Sequence, residues 1–451
     1  MNEHIKEWFA ANGEGAWKTA RALWAHPEVA YEESGSCQIM SDYMEENGFQ
    51  VETFKIRSTD GKPNGLKAVF GHGKPVIGIL GELDALPGLA QSENCCEESR
   101  EGPGHGCGHN LLAAGCAAAA ISAKYVMEQE KLTGTIVYYG CPAEETISGK
   151  VLMASMGAFD HLDICLTWHP GGGPGFLIEF AGTALTNIVY EFHGKTAHAA
   201  DNAHMGRSAL DAAELMNVGC NYLREHVTKD VTFHYSYLSA GTAPNIVPEY
   251  AAVNYFVRAN SRETCDEVVA RVTKIAKGAA MMTETSMKIA SQIGCYEYLV
   301  NHRLNRAAYE AWKKIPPIEY SDEDKAYASA LYINIHGREA ENAEALLQTG
   351  LVPPKGVTDT TDCGSTDVAD VTQICPTINT FGFGIAGRIP GHHWGVTACA
   401  GSEIGKKGMM FAAKGLAQLC FDALTDPSVI EESQKEFTES TKGMAPYKSR
   451  V

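Results

Sequence analysis

Hydrophobic and polar positions along the first half of the chain switch repeatedly between helical and strand-like spacing. Ala16 to Trp24 and Ser36 to Asn47 carry helical patterns, and Gly48 is a natural helix stop. Val76 to Leu83 is a short apolar run of the kind that forms a buried strand, followed by turn residues in Asp-Ala-Leu-Pro-Gly. A helix is expected over Asn110 to Glu130, a second buried strand over Gly134 to Gly140, a helix over Thr146 to Met156 and a third strand over Asp163 to Trp168. Strands separated by helices predict an α/β layer, a mixed but mostly parallel sheet with flanking helices.

The pattern changes near Gly182. Ala184 to His193, Val231 to Tyr237 and Tyr250 to Ala259 alternate like half-exposed strands, and His204 to His226 and Arg262 to Met282 read as long helices. Strand, helix, strand, strand, helix, strand is the order of a ferredoxin-like α+β unit. An inserted domain is therefore expected at residues 183–292, between a first part (1–182) and a second part (293–451) of one larger domain. No internal repeat or low-complexity tract interrupts this plan.

Composition narrows the class. The 451 residues are 45% apolar and 20% charged, enough for a large core. The formal net charge of −18 works against nucleic acid or an anionic membrane as partner. A small anionic substrate stays compatible, because a local cation can override a screened distant field. The first residues alternate charged and apolar side chains without the unbroken apolar stretch of a signal peptide. The most apolar run, Asn110 to Ala123, is shorter than a membrane span requires. Fourteen cysteines without an export signal predict reduced thiols and a cytoplasmic protein. Cys116, Cys141, Cys165 and Cys220 sit in apolar stretches as core filler.

Three clusters carry candidate chemistry, each assigned to the end of an expected strand, where α/β sheets hold ligands. Cys107 and His109 stand two apart in a glycine-rich turn that opens a helix. Glu144 and Glu145 follow the strand ending at Gly140, and His169 follows Asp163 to Trp168. Downstream, Pro-Gly-His-His-Trp adds His392 and His393. Each has a plainer reading alone: a chance spacing, a solvated helix start favoured by the macrodipole, a hydrogen-bonded strand cap. Together they offer thiolate, imidazole and carboxylate donors, a mixture that suits zinc, manganese or cobalt better than magnesium or calcium.

These motifs resemble the M20 metallopeptidase and amidohydrolase family, in the branch that holds p-aminobenzoyl-glutamate hydrolase and the N-acyl amino acid hydrolases. The resemblance runs through Gly81-Glu-Leu-Asp-Ala-Leu-Pro, Cys107-Gly-His-Asn, Pro142-Ala-Glu-Glu, Trp168-His-Pro and Gly194-Lys-Thr-Ala-His-Ala-Ala. It continues through Asn245-Ile-Val-Pro, Gly364-Ser-Thr-Asp and His392-His-Trp. It implies a zinc-peptidase-like catalytic domain with an inserted lid and dimerisation domain. It also implies two divalent metal ions, zinc or manganese, on Cys107, His109, Glu145, His169 and His392. His392 is taken over His393 because related sequences place the ligand two before the tryptophan, here Trp394. Glu144 matches the general base, and Asp84 the aspartate that orients a metal-bound histidine. His198 matches a lid histidine that reaches a partner subunit's site and supplies an oxyanion donor. Asn245 and Arg258 fall at a spacing like the family's carboxylate-binding region, and arginine's planar fork matches a carboxylate. Arg207 is a second candidate for that task.

Two departures qualify the likeness. Asn110-Leu111-Leu112 replaces an Asp and a second His found in many members, which draws the chain toward the aminobenzoyl-glutamate group. Glu82 stands where older M20 enzymes carry a histidine ligand, so Cys107 is the expected replacement. The expected activity is hydrolysis of the amide bond of an N-acyl or N-aroyl amino acid by a metal-activated water, with Glu144 moving the proton. A dipeptidase on the same scaffold, a non-catalytic subunit of a hetero-oligomer and a Cys107–His109 thiol enzyme are the alternatives. A homodimer through the inserted domain is the expected assembly, with a hetero-oligomer containing a paralogous subunit as the other form.

Overall fold

The computed structural model describes residues 1–356 and 364–451; Cys363 lies outside them. In chain order the strands are β1 Gln50–Phe54, β2 Gly65–His72, β3 Val76–Glu82, β4 Gly134–Cys141, β5 Ile164–Gly171 and β6 Phe176–Leu177. Then come β7 Ala184–His193, β8 Thr232–Ser239, β9 Tyr250–Ala259, β10 Ser286–Cys295, β11 Leu351–Val352 and β12 Thr377–Gly384. The chain packs as two compact units. The larger is built on Met1–Phe180, the stretch that begins at Leu299, and Val371–Tyr447; the smaller is built on Ala181–Tyr298.

The larger unit holds an eight-stranded sheet in the order β1-β2-β4-β3-β5-β12-β6-β11. Its centre is parallel: β3 pairs with β4 and β5, and β5 with β12. β2 runs antiparallel to both β1 and β4. Every residue of β4 is buried, which is why β4 reads as an unbroken apolar run rather than an alternation. The helix His109–Glu130 packs between the sheet and the helices Glu3–Ala25 and Glu403–Thr425. Its alanines at 117–120 let those helices approach closely, and all four are fully buried. By length and composition this one helix among the described residues could cross a membrane, and 89% of its most apolar window lies inside the protein.

The smaller unit is a four-stranded antiparallel sheet, β10-β7-β9-β8. Inward residues alternate along β7 and β9, and Ala209–Leu223 and Arg262–Met282 bury Ala212, Met216, Cys220, Val268, Val272 and Ala276 beneath them. Ser208 and Ser261 cap those helices with side-chain hydrogen bonds to Asp211 N and Thr264 N. The order is the expected βαββαβ, and the fold class is the expected one. β10 ends at Cys295, so its last rung extends beyond the expected boundary at Gln292.

Other differences have local causes. The first helix starts at Glu3, well before Ala16, because the Asn2 side chain accepts from His4 N and Ile5 N. The expected helix over Thr146 to Met156 forms only as Gly149–Ser155. Ahead of it, Ala143 and Ile147 adopt left-handed φ of 53° and 56°, bending the chain into a turn. His204 to His226 breaks at Gly206, where Gly206 N bonds to Ala203 O and Arg207 N to Lys195 O, so the regular helix begins at Ala209.

Candidate metal centre

The carboxyl ends of β3, β4, β5 and β12 lead into the segments that carry the candidate residues, all within the larger unit. Glu82 closes β3 and Asp84 follows it; Glu144 and Glu145 sit in the turn after β4; His169 lies near the end of β5; His392 lies in the loop after β12. Cys107 and His109 do not follow a strand directly, which corrects the expectation. A loop from Leu83 to His105 precedes them, and they open the helix His109–Glu130. Gly108 between them is left-handed at φ 78°, and a Cβ there would come within 2.7 Å of Pro170 Cγ. Only glycine allows that bend against the residue following His169.

The histidines arrive with their tautomers set. His109 Nδ1 meets Asp84 O at 2.9 Å and Asp84 Oδ1 at 3.2 Å, and His169 Nδ1 meets Pro170 O at 2.7 Å. Acceptors on Nδ1 leave each Nε2 turned into the cluster. Asp84 Oδ2 also accepts from Glu145 N at 2.9 Å, so one buried carboxylate orients both the histidine and the glutamate turn. His169 stacks on Phe381, with ring centroids 5.6 Å apart.

The donor atoms then gather. Cys107 Sγ is 3.3 Å from His169 Nε2, His392 Nε2 is 3.3 Å from Glu145 Oε2, and His109 Nε2 is 3.2 Å from Glu82 Oε2 and 4.0 Å from Glu144 Oε2. Around a tetrahedral zinc ion, ligand bonds of about 2.0–2.3 Å place neighbouring donors about 3.3–3.8 Å apart. Three groups bring their donor atoms within 4.8 Å of one another: Cys107 with His109 and His169, Cys107 with Glu145 and His392, and Glu82 with His109 and Glu144. Glu82 Oε2, His109 Nε2 and Glu145 Oε1 are buried without a hydrogen-bond partner. Glu82 Oε2 and His109 Nε2 face each other at 3.2 Å, and such orphaned buried atoms among candidate ligands fit a divalent cation. His393 instead caps the helix Trp394–Ala400, accepting from Gly395 N.

Charge and strain tell the same story. Burial, then the nearby Glu145 charge, pushes the Cys107 thiol up to about 12; burial raises the Glu145 carboxyl to about 7 and holds the His169 imidazolium down to about 4. Burial opposes charge on His109 as well, yet Cys107 when it is a thiolate, the Glu82 charge and the Asp84 hydrogen bond raise it well above the usual range. His392 takes a left-handed φ of 53°, as Ala143 does before the glutamate pair. Strain of about 1–3 kcal/mol per residue is typical of such positions at functional sites.

Three residues without an assigned role in the sequence reading belong to this neighbourhood. By sequence Glu82 marks only a missing histidine, yet its carboxylate enters the cluster. Lys150, in the helix Gly149–Ser155, is fully buried and 2.7 Å from Glu82 Oε1. Its signal is a lysine inside an otherwise apolar helix. Glu33, also fully buried, accepts from Ala143 N, Tyr31 N and Asn64 Nδ2 and so pins the strained turn. Asn110 ties its helix to the carbonyls of Ala20 and Ala400.

The remaining candidates lie in the smaller unit. His198 and Asn245 are brought together: His198 bridges Ile246, and Ala199 N bonds to Asn245 O. His198 Nδ1 accepts from Ala200 N and Asp201 N, which leaves Nε2 carrying the proton on an exposed ring. Arg258 lies apart on β9, stacked over Phe256 on the face opposite the helices, beside His234, Ser236 and Asn254. Arg207 is engaged with Glu284 at 2.7 Å.

A parallel-sheet unit with a thiolate, imidazole and carboxylate cluster at its strand ends, paired with a βαββαβ unit, is the build of a metal-dependent hydrolase. Residues 183–281 match the peptidase dimerisation domain family. A subunit of the p-aminobenzoyl-glutamate hydrolase of Escherichia coli is 37% identical over 94% of this chain and 92% of its own length. The chain belongs to the M20 family of metallopeptidases and amidohydrolases. Among solved structures, an aminobenzoyl-glutamate utilization protein from Klebsiella pneumoniae shares the fold with a TM-score of 0.65 at 17% identity, covering 94% of this chain and 98% of that one. A dinuclear metal-binding M20 peptidase from Bacillus subtilis matches with a TM-score of 0.58 at 18% identity, covering 92% and 99%.

Proposed function

We propose that this protein hydrolyses the amide bond of N-acyl or N-aroyl amino acids of the p-aminobenzoyl-glutamate kind, using two divalent ions, zinc or manganese. The gathering of Cys107, His109, Glu145, His169 and His392 into overlapping donor groups, with His109 Nε2 unpartnered among them, carries this reading. Cys107, His109, Glu145, His169 and His392 would hold the ions. Bound there, they would supply Lewis acidity toward the scissile carbonyl and toward water. Glu144, at the edge of the cluster 4.0 Å from His109 Nε2, takes the proton of the attacking water and returns it to the leaving nitrogen. Asp84 keeps His109 and the glutamate turn in register. His198 supplies an oxyanion donor to the site of a neighbouring copy, and Asn245 or Arg258, which lie toward opposite ends of β9, receives the substrate carboxylate.

Assembly through the smaller unit is part of the proposal. β8 is an edge strand, and Tyr235, Tyr237 and Leu238 on it are exposed beside Leu215, Val218 and Tyr222 of the helix Ala209–Leu223. An apolar sheet edge of this kind is completed by another chain. The partner is a second copy, or a paralogous chain, since the Escherichia coli relative is itself named as one subunit of its hydrolase. The thirteen described cysteines are free thiols, in keeping with a reducing cytoplasm.

Chelation followed by zinc or manganese add-back, assayed on a panel of N-acyl amino acids, N-aroyl amino acids and dipeptides, tests the function. Metal-restored cleavage of aroyl-glutamates above dipeptides is expected. Preference for dipeptides would replace the substrate assignment, and activity indifferent to chelation would reject the metal mechanism in favour of a Cys107 nucleophile.

A further inference from the structure

Lys150 has no exposed surface, and its ammonium is 2.7 Å from Glu82 Oε1; Glu82 itself is 2% exposed. Taking both charges out of water is costly, and an apolar pair would fill the same space at lower cost. The second oxygen of Glu82 shows what the pair accomplishes. Oε2 makes no hydrogen bond and faces His109 Nε2 at 3.2 Å, and Nε2 makes none either. His109 Nδ1 is committed to Asp84, so two electron-pair donors point at each other. Only a proton or a metal ion between them reconciles the contact.

We infer that Glu82 is a further metal ligand, at the position served by His109, and that Lys150 is the fixed counter-charge that aims it. The inference rests on the two-ion reading of the site. Lys150 occupies one oxygen of Glu82 and so leaves the other to the ion, a monodentate arrangement held from behind. Charge balance agrees. When deprotonated, Glu82, Asp84, Cys107, Glu144 and Glu145 supply five negative charges. Two divalent ions neutralise four of them and Lys150 the fifth, which leaves a buried centre close to neutral.

The test is metal titration of the full-length protein with zinc and with manganese, followed by calorimetry and by metal analysis after dialysis. Wild type is expected to take up two ions per chain. Glu82→Gln keeps the shape and a hydrogen bond to Lys150 but loses the anionic donor, so one ion should bind about ten- to a hundredfold more weakly while the other is unchanged. Glu82→Asp, which restores a carboxylate, should recover part of the loss. Lys150→Met should keep a stoichiometry of two but melt earlier than wild type without metal, with the difference shrinking on metal addition. If Lys150→Met does not fold, the Glu82 pair still decides the matter. Two wild-type affinities in Glu82→Gln would overturn the inference and leave the two-ion reading standing. Uptake of fewer than two ions by wild type would overturn that reading and the inference with it.

Discussion

The strand-end cluster of the larger unit and the His198–Asn245 turn of the smaller one present their functional groups in opposite ways. In the first, His109 and Asp84 are almost wholly buried and the Nδ1 atoms of His109 and His169 are committed, while the facing Nε2 of His109 and carboxylate atoms of Glu82 and Glu145 have no hydrogen-bond partner. In the second, His198 is more than half exposed and held only through its Nδ1, and Asn245 is exposed. Apart from His392, whose side chain is more than half exposed, the groups that would act on a bound ion are preorganised by burial, since no water competes there and reorganisation would cost rate. In the proposed assembly, groups that serve a second chain or a substrate stay in solvent until that partner arrives. A buried cluster advertises its missing ligand through unsatisfied atoms, whereas an exposed turn cannot, because water satisfies it.

The sharpest way to break this contrast is at Glu144. Glu144→Gln should lower turnover by about a hundred- to ten-thousandfold and leave the metal content at the wild-type level. Loss of metal in this variant, with retention in Glu145→Gln, would show the two roles to be exchanged.

His198→Ala should cost on the order of a hundred- to a thousandfold in kcat, as removal of an oxyanion donor does, with no change in metal content. Mixed with Glu144→Gln, it should regain partial activity, because a mixed dimer contains one site with both groups intact. A fully active monomer would place the donor in the same chain.

A smaller effect is expected at Arg258. Arg258→Ala should weaken kcat/KM for free-acid substrates by about ten- to a hundredfold, the value of charge-assisted hydrogen bonds, and spare the matching amides. Equal losses on acid and amide would assign Arg258 to the sheet, where it stacks on Phe256.

The mildest test uses pH. At neutral pH the Cys107 thiol, pushed up to about 12, keeps its proton, and the Glu145 carboxyl, raised to about 7, is half protonated. Metal must displace these protons, so affinity should rise by about tenfold per pH unit for each proton released between pH 6 and 8. Calorimetry in buffers of different ionisation enthalpy would count them. Affinity independent of pH would remove the protonated thiol from the ligand set.

How much of this was legible beforehand follows from the range of each interaction. The βαββαβ order, the buried strands β3 to β5 and the helices at 109–130 and 262–282 were readable, because local periodicity and turn chemistry encode them. The residue types that the structure gathers, a cysteine, histidines and paired glutamates, were readable too, although Cys107 and His109 follow a long loop rather than a strand end. Short or distant pairings were not. β6 and β11 are two residues each and exist only through each other and β12. The left-handed turn at Ala143 and Ile147, which cut back the expected helix, is held at Ala143 N by Glu33 from another part of the chain.

Amino-acid types alone therefore determined which chemistry this protein can perform and which segments carry it. Only the tertiary structure decided that Glu82 faces His109, that Lys150 stands behind Glu82 and that Glu33 reaches the turn at Ala143. The reason is physical. A donor's identity is a property of its own side chain, but its partner is chosen where separate strand ends and loops converge, and spacing along the chain does not encode that distance.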